Sequence, residues 1–498
     1  MMNACRHGKG DAGSPIRRLT KSALAAAAIL AAGCASVGPA YLRPDVAVPA
    51  AWNRGGATDN AATVEAAGDL SRWWGRLGDV TLTGLIEQAL TGSTDLRAAQ
   101  SKLREARARR DLAGANRFPT VTASASAGRE KGSAESGSGS TSSLYYAGFD
   151  ASWEPDIFGG TRRAAEAAQA DLETSEANLR NTQVSLAAEV ALNYVDVRSF
   201  QTRLAIARNN LSSQSETFQL TDWRAQAGLA TSLDMEQARA NREQTRAQIP
   251  TLATGLGEAE HRLAVLLGRA PGAVHEMLAA PSPVPAVPER VSVGIPADTL
   301  RQRPDVQAAE RKLAAESARV GQAMAARYPG FTLSGSIGLE ALTLGALGTS
   351  GAVTRSLLTN VAGVIFDGGR LRRQVEIQDA VQEQALIGYE AAILIALEDV
   401  ENALVSLADN RHRQAALRAA AEAARNAAVL ARHRYTGGLI DFQSVLDTER
   451  TVLAVEDSLA SAEAEGASAI IRLYKALGGG WSPESSGDAA TITTGRSS

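Results

Sequence analysis

Two stretches of the chain keep one hydrophobic pattern for an unusual length. Residues 161–227 contain neither Pro nor Gly, and residues 370–436 contain a single Gly. Apolar residues recur in both at seven-residue intervals, in three series: Leu172, Leu179 and Leu186; Val190, Val197, Leu204, Leu211 and Phe218; and Leu386, Ile393, Val400 and Leu407. This period is typical of left-handed coiled-coil packing, and about 1.5 Å per residue makes each helix roughly 100 Å long. Ordinary bundle helices share the period but do not explain the length.

Four shorter segments alternate polar and weakly apolar residues with a period of two, which predicts β-strands. They occupy residues 118–128 and 144–158 before the first long helix, and residues 328–339 and 356–366 before the second. Residues 130–143, composed almost entirely of Gly, Ser and charged residues, are expected to join the first pair as a flexible loop. Residues 340–355 are expected to join the second pair.

Aromatic residues gather in these four windows, near the predicted strand ends, as in the aromatic girdles of membrane β-barrels. The smallest membrane barrels need about eight strands, so four strands cannot close one. If the strands span lipid, the chain must therefore oligomerise. The alternative is a pair of soluble hairpins packed against the helices, which would leave their sparse apolar faces poorly covered.

The chain repeats itself at a constant offset of 210 residues. Arg117-Phe118-Pro119 returns as Arg327-Tyr328-Pro329, and Gly228-Leu229 returns as Gly438-Leu439. Each copy is predicted to contain a helix, two strands (118–158 and 328–366), a long helix (161–227 and 370–436) and a return helix. The expected layout is a signal peptide (1–33), a lipid-anchored segment (34–78), repeat 1 (79–270), a Pro-rich connector (271–296), repeat 2 (297–480) and a flexible tail (481–498).

Composition argues against several functional classes. Lys and Arg number 51 against 54 Asp and Glu, so there is no excess of positive charge to drive nucleic-acid binding. The two Cys and five His have no metal-ligand spacing, and neither a phosphate-binding Gly-rich loop nor a serine nucleophile motif occurs. The sequence therefore predicts no enzyme activity, no metal and no cofactor.

The N-terminal segment, up to Cys34, has the layout of an export signal. Arg17, Arg18 and Lys21 precede a short apolar run, 23–32, that is too short to span a bilayer. Small residues then lead to Cys34, as in bacterial lipoproteins, where the new N-terminal Cys carries lipid. The alternative is ordinary secretory cleavage that leaves Cys34 an unmodified thiol.

The motifs together resemble the TolC-like outer-membrane efflux proteins, and most closely their lipoprotein branch, which serves drug or nodulation-factor export. The resemblance covers essentially the whole mature chain. It rests on an ordered set of short motifs: Val37-Gly38-Pro39-Ala40-Tyr41, Arg43-Pro44, Trp73-Trp74, Arg303-Pro304-Asp305-Val306, Gly228-Leu229 with Asp234, and Gly438-Leu439 with Val445-Leu446-Asp447.

The resemblance implies a mainly α-helical fold with membrane β-strands. Each chain of a homotrimer would give four strands to one 12-stranded β-barrel, continued by a long α-helical coiled-coil barrel across the periplasm. The implied function is a passive exit duct, anchored in outer-membrane lipid, that receives small molecules from an inner-membrane transporter through a periplasmic adaptor. Two alternatives stay open: an exit channel for type I protein secretion, and a periplasmic coiled-coil scaffold that forms no pore.

Candidate site residues lie at the two turns that follow the long helices. A left-handed residue is needed where two antiparallel helices reverse, and Gly is suited to it. The resemblance makes these tips the adaptor-docking points: Gly228, Leu229, Gly437, Gly438 and Leu439. It also makes Asp447 a gate carboxylate, repeated by symmetry into a ring of charge. The alternative roles are helix caps for the glycines and a solvated charge for Asp447.

Asp234 is the looser counterpart of Asp447 in the first repeat, either a second gate residue or a cap at a helix start. Arg432 and Arg434 are candidates to pair with these carboxylates. Ser444 stands where the TolC pattern offers another Asp, so a gate in this chain has fewer charges on that row.

Overall fold

The computed structural model describes residues 36–53, 62–63, 69–288 and 290–482. The signal peptide and Cys34 lie outside these residues. The described residues form two compact units. The strand unit contains residues 36–44, 105–173 and 311–387, and the helix unit contains the remainder.

The main elements come in two sets. The first set is α1 (Val80–Gly92), α2 (Thr94–Ala115), β1 (Thr120–Lys131), β2 (Thr141–Trp153), α3 (Gly160–Gln226) and α4 (Ser232–Leu266). The second set is α5 (Pro296–Gln302), α6 (Pro304–Ala325), β3 (Gly330–Ala341), β4 (Val353–Ala362), α7 (Arg370–Thr436) and α8 (Phe442–Ala476). Helices α2, α3 and α4 and strand β1 reappear as α6, α7, α8 and β3, with both ends of each element displaced by the repeat offset.

The four strands of the strand unit form one antiparallel sheet in the order β1-β2-β3-β4. Directly opposed residues are always both odd-numbered or both even-numbered, as in Ala123 opposite Phe149 and Phe149 opposite Ile337. Since side chains alternate along a strand, all odd-numbered residues share one face. That face carries seven of the strands' exposed large apolar side chains: Val121, Phe149, Trp153, Ile337, Val353, Leu357 and Val361. The even-numbered face is mostly Ser, Thr and Gly.

Several boundaries differ from the sequence predictions. The expected flexible loop at 130–143 is shorter, because β1 continues to Lys131 and β2 begins at Thr141; the alternating pattern of the strands extends into the polar segment. The predicted flexible tail begins at Trp481, but the Nε1 of this residue donates to the carbonyl of Gln302 at 3.2 Å.

The connector is less extended than predicted. It contains a helical turn, His275–Leu278, and its last residue, Pro296, begins α5. Proline is favoured in the first turn of a helix, where its missing N–H costs no hydrogen bond.

The core of the helix unit lies where α1 meets the long helices. Trp73 is fully buried and stacks on Tyr474 with ring centroids 5.4 Å apart. Heptad residues such as Val190, Val197 and Val400 belong to the same apolar cluster. None of the helices within the described ranges has the length and apolar content needed to cross a membrane.

Candidate docking tips, gate and anchor

The two helix reversals in the helix unit have the same backbone geometry. Gly228 and Gly438 are left-handed, with φ of 73° and 72°. After each glycine, a leucine N–H bonds back to a carbonyl in the last turn of the helix, Leu229 to Arg224 at 2.7 Å and Leu439 to Arg434 at 2.9 Å. These are Schellman turns, which satisfy the last carbonyls of a helix. They leave Leu229 and Leu439 projecting into solvent, 69% and 77% exposed.

The helices that leave the tips are capped by side chains in mirrored order. Thr231 caps α4, and the Asp234 carboxylate accepts from the Thr231 N–H at 2.9 Å, which completes a capping box. In the second tip the acid comes first: Asp441 caps α8 and accepts from the Ser444 N–H at 3.0 Å. The bonds from the Ser444 hydroxyl and N–H lower the pKa of Asp441. Asp234 and Ser444 therefore both act in helix starts.

A small apolar cluster ties the two tips together. It joins Ala238 of α4 to Tyr435, Phe442, Val445 and Leu446 of α7 and α8, all buried. Arg224, near the end of α3, covers the Tyr435 ring at 4.6 Å and donates to the Tyr435 carbonyl at 3.2 Å. The ends of the two long helices are thus joined within one chain.

Glu449 is a buried carboxylate in the tip region that sequence reasoning missed. The Thr217 hydroxyl donates to its Oε1 at 2.6 Å, and Arg432 Nη2 lies 3.2 Å from the same oxygen. Burial raises the pKa of Glu449, opposed by the bond from Thr217 and the charge of Arg432. Its Oε2 has no hydrogen-bond partner among the described residues. Glu449 therefore links α3, α7 and α8 through an incompletely satisfied polar contact.

Asp447 lies on the exposed side of α8, near the start of that helix. Gln443 Nε2 donates to it at 2.9 Å, and Arg450 Nη1 is 3.9 Å away. Arg432 contacts Glu449 and Glu216, so the predicted pairing of Arg432 with Asp447 or Asp234 is wrong. The Asp447 carboxylate keeps most of its surface in solvent, 61% exposed.

The segment just after Cys34 crosses the strand unit through close glycine contacts. Val37 N–H donates to the Phe158 carbonyl at 3.1 Å. A Cβ added to Gly159 would lie 2.6 Å from the Ser36 Cβ, and one added to Gly38 would lie 2.5 Å from the Gly321 Cα. No side chain fits at such distances. Ser36 is therefore held beside the start of α3, shortly after the end of β2.

Arg163 holds this segment from one side. The guanidinium is buried and donates to the carbonyl oxygens of Val37 at 3.3 Å and Gly38 at 3.1 Å. It also pairs with Glu166 at 2.8 Å. We name residues 36–44 the anchor strap.

A family model for outer membrane efflux proteins matches residues 85–269 and again residues 295–479. The bounds of the second match equal those of the first moved by the offset of the duplication. The chain belongs to the outer membrane efflux protein family.

Relatives of this efflux protein match along nearly their whole length. Nodulation protein T of Rhizobium leguminosarum bv. trifolii is 33% identical over 458 residues, 91% of this chain and 96% of that protein. The pyoverdine export outer membrane protein OpmQ of Pseudomonas aeruginosa is 34% identical over 475 residues, 93% and 98% of the two chains. The solved structure of the outer-membrane channel OprN has a TM-score of 0.85 and 38% identity, covering 90% of this chain and 100% of that one.

The predictions of an efflux function and of an outer-membrane location are therefore confirmed for this efflux protein. The predicted mixture of long helices with a smaller β-sheet is confirmed as well. The docking residues, the gate residue and lipidation of Cys34 stay predictions.

Proposed function

We propose that this efflux protein is a homotrimeric exit duct whose strands close one 12-stranded barrel in the outer membrane. The observation that carries this is the two-faced sheet. Its apolar face exposes seven large side chains to solvent in the isolated chain, and its strands of 10 to 13 residues suit a bilayer crossing of about 9–11 residues. Strands β1 and β4 are the sheet edges, available to pair with other subunits.

The duct is passive. An inner-membrane transporter supplies the substrate and the energy, and a periplasmic adaptor bridges the transporter to the tips. The polar even-numbered face of the sheet lines the lumen, where it offers hydroxyl groups and glycines instead of a tight binding pocket. Small molecules cross without any reaction at the protein.

The exposed leucines Leu229 and Leu439 are the adaptor contacts. Changing both to Glu keeps the Schellman turns, which depend on the backbone, but puts charge into an apolar contact. We expect ethidium efflux to fall at least about tenfold, equivalent to losing about 1.4 kcal/mol of binding, in cells that carry this chain with an adaptor and a transporter. Leu430→Glu is the matched control, an exposed leucine on α7 before the tip. Unchanged efflux in the double variant would remove the docking assignment.

Asp447 forms the gate ring. In a closed trimer, three carboxylates at the narrow end would attract cations and hold the constriction by hydrogen bonds. We expect Asp447→Ala to raise single-channel conductance several-fold in a planar bilayer. Glu465→Ala, which removes another exposed carboxylate of α8, should leave conductance unchanged. Equal conductance in the two variants would show that Asp447 is a solvated surface charge.

Cys34 carries the lipid anchor. The strap holds Ser36 close to the strand end, so a lipid on Cys34 would start near the level where the barrel leaves the membrane. The acyl chains would add membrane affinity of about 0.8 kcal/mol per buried methylene. Mass spectrometry of the mature N-terminal peptide tests this directly, because an unmodified thiol lacks the added acyl mass.

A further inference from the structure

The duplication also predicts how neighbouring subunits pair. Hairpin β1-β2 and hairpin β3-β4 have the same internal register once the repeat offset is added to both strands: Thr120 is opposite Ser152, and Gly330 is opposite Ala362. The two hairpins are thus equivalent units that meet at the seam between β2 and β3. In a closed ring, β4 of one subunit pairs with β1 of the next subunit. In the duplication β4 corresponds to β2 and β1 corresponds to β3, so this seam is equivalent to the β2-β3 seam.

Resting on the trimeric barrel proposed above, we infer that this intersubunit seam has the register of the β2-β3 seam moved by the repeat offset. Within the chain, Asp150 is opposite Ser336 and Ala151 is opposite Gly335. The offset moves these pairs to Asn360 opposite Ser126 and Val361 opposite Ala125 of the neighbouring subunit. The partner that covers each open edge is a second copy of this chain.

The faces of the sheet agree with this register. It joins odd residues to odd and even to even, so the apolar face continues unbroken from one subunit to the next. A slip of one residue would place the apolar face of the next subunit on the polar side. A slip by an even number of residues keeps the faces and must be excluded by the side chains themselves.

Gly128 provides that further discrimination. The even-numbered polar face carries two exposed large apolar residues, Leu144 and Leu358. Leu144 is directly opposite Gly128 within the chain. The inferred register places Leu358 of the adjoining subunit opposite Gly128 from the other side, because Gly148 is opposite Gly338 within the chain. The two leucines then flank a residue with no side chain and can cover it together. A slip of two residues would set Leu358 against Ser126 or Glu130.

Cysteine pairs across the seam test the register, since the sequence contains only Cys5 and Cys34 besides any that are introduced. The predicted pair is Asn360→Cys with Ser126→Cys. The matched controls combine Asn360→Cys with Thr122→Cys or with Glu130→Cys. These two positions lie on the same face of β1 as Ser126, four residues before it and four residues after it. Disulfides form when Cβ atoms are about 3.5–4.5 Å apart, which only the correct register allows.

We expect oxidation of the assembled protein to give covalent dimers and trimers for the Ser126 pair, at least about ten times as much as for either control. The pair Val361→Cys with Ala125→Cys is examined in parallel. Neighbouring positions alternate between wide and close spacing, so one of the two predicted pairs has the shorter distance. Each variant with a single introduced cysteine measures the background level of covalent oligomers.

The native mass of the same samples distinguishes a failure of the register from a failure of the trimeric duct. A trimer that cross-links through Thr122 or Glu130 would overturn the register and leave the trimeric duct intact. A trimer without cross-links at either predicted pair would overturn the register as well. A monomer would overturn the trimeric duct itself.

Discussion

Replacing Arg303 by Met is expected to destabilise the helix unit by about 1.5–3 kcal/mol, the range for removing hydrogen bonds to a charged group. The Arg303 guanidinium is buried and lies 2.6 Å from the Asp305 carboxylate and 2.9 Å from Asp399. It also donates to the carbonyls of Ala396 and Ala476 at 3.4 and 3.2 Å. The substitution leaves both carbonyls and the partly buried Asp305 without this partner.

The contact between Arg303 and Asp305 also predicts how the stability of the protein depends on pH. Burial raises the pKa of Asp305, but the bond and charge of Arg303, together with the bond from the Val306 N–H, outweigh it and hold the pKa below its ordinary value. A carboxylate with a lowered folded pKa stabilises the protein above its unfolded pKa, and this contribution is lost as the pH falls through the folded pKa. In Arg303→Met the acid-dependent contribution of Asp305 to stability should become smaller, while the bond from the Val306 N–H remains.

Guanidinium unfolding in detergent, followed by far-UV circular dichroism, measures the effect. The matched control is Arg301→Met, on the preceding helix α5, where an exposed arginine lies 3.5 Å from Asp298. Exposed pairs contribute about 0–1 kcal/mol, so this variant should stay near the parent. Equal unfolding midpoints for the two variants would contradict the role assigned to Arg303.

Replacing Gly159 by Ala is expected to weaken attachment of the anchor strap by about 2–5 kcal/mol, the sum of backbone strain and overpacking. The residue has φ of 83°, and its new Cβ would fall 2.8 Å from the Ser36 Cα. A left-handed alanine costs about 1–2 kcal/mol, and overpacking against backbone costs about 1–3 kcal/mol more. Hydrogen exchange of residues 36–44 should accelerate accordingly, because Val37 loses its bond to the Phe158 carbonyl.

Gly160→Ala is the adjacent control. Its Cβ would meet the Ala325 Cβ at 3.5 Å, an ordinary contact, and its φ is not left-handed. Exchange in the strap should remain as in the parent. If both alanine variants exchange alike, the close glycine packing does not hold the strap.

The long helices and the tips follow from local sequence. Residues 161–227 contain nothing that would break a helix, and Gly228 supplies the left-handed residue where α3 ends. Strand limits were harder to place, because Ser and Gly near Glu130 suit both a loop and a membrane strand facing a polar lumen. The sharing of one face by all odd-numbered residues depends on strand pairing, which periodicity within one strand does not give.

The buried polar contacts could not be predicted for a different reason. Thr217 and Glu449 are far apart in the sequence, and their 2.6 Å hydrogen bond depends on how α3 and α8 pack. A single Glu in an α-helix is most often solvated, so nothing local marks Glu449. The close contact of Gly38 with Gly321 is equally non-local, although Gly38 stood in a motif that carried the family resemblance.

Single-channel conductance of the purified protein in a planar bilayer, with the native mass of the same sample, tests the proposed duct most directly. We expect the proposed duct to be a trimer that inserts and conducts, with Asp447→Ala conducting more than the parent. A monomer that neither inserts nor conducts, in both the parent and Asp447→Ala, would contradict it.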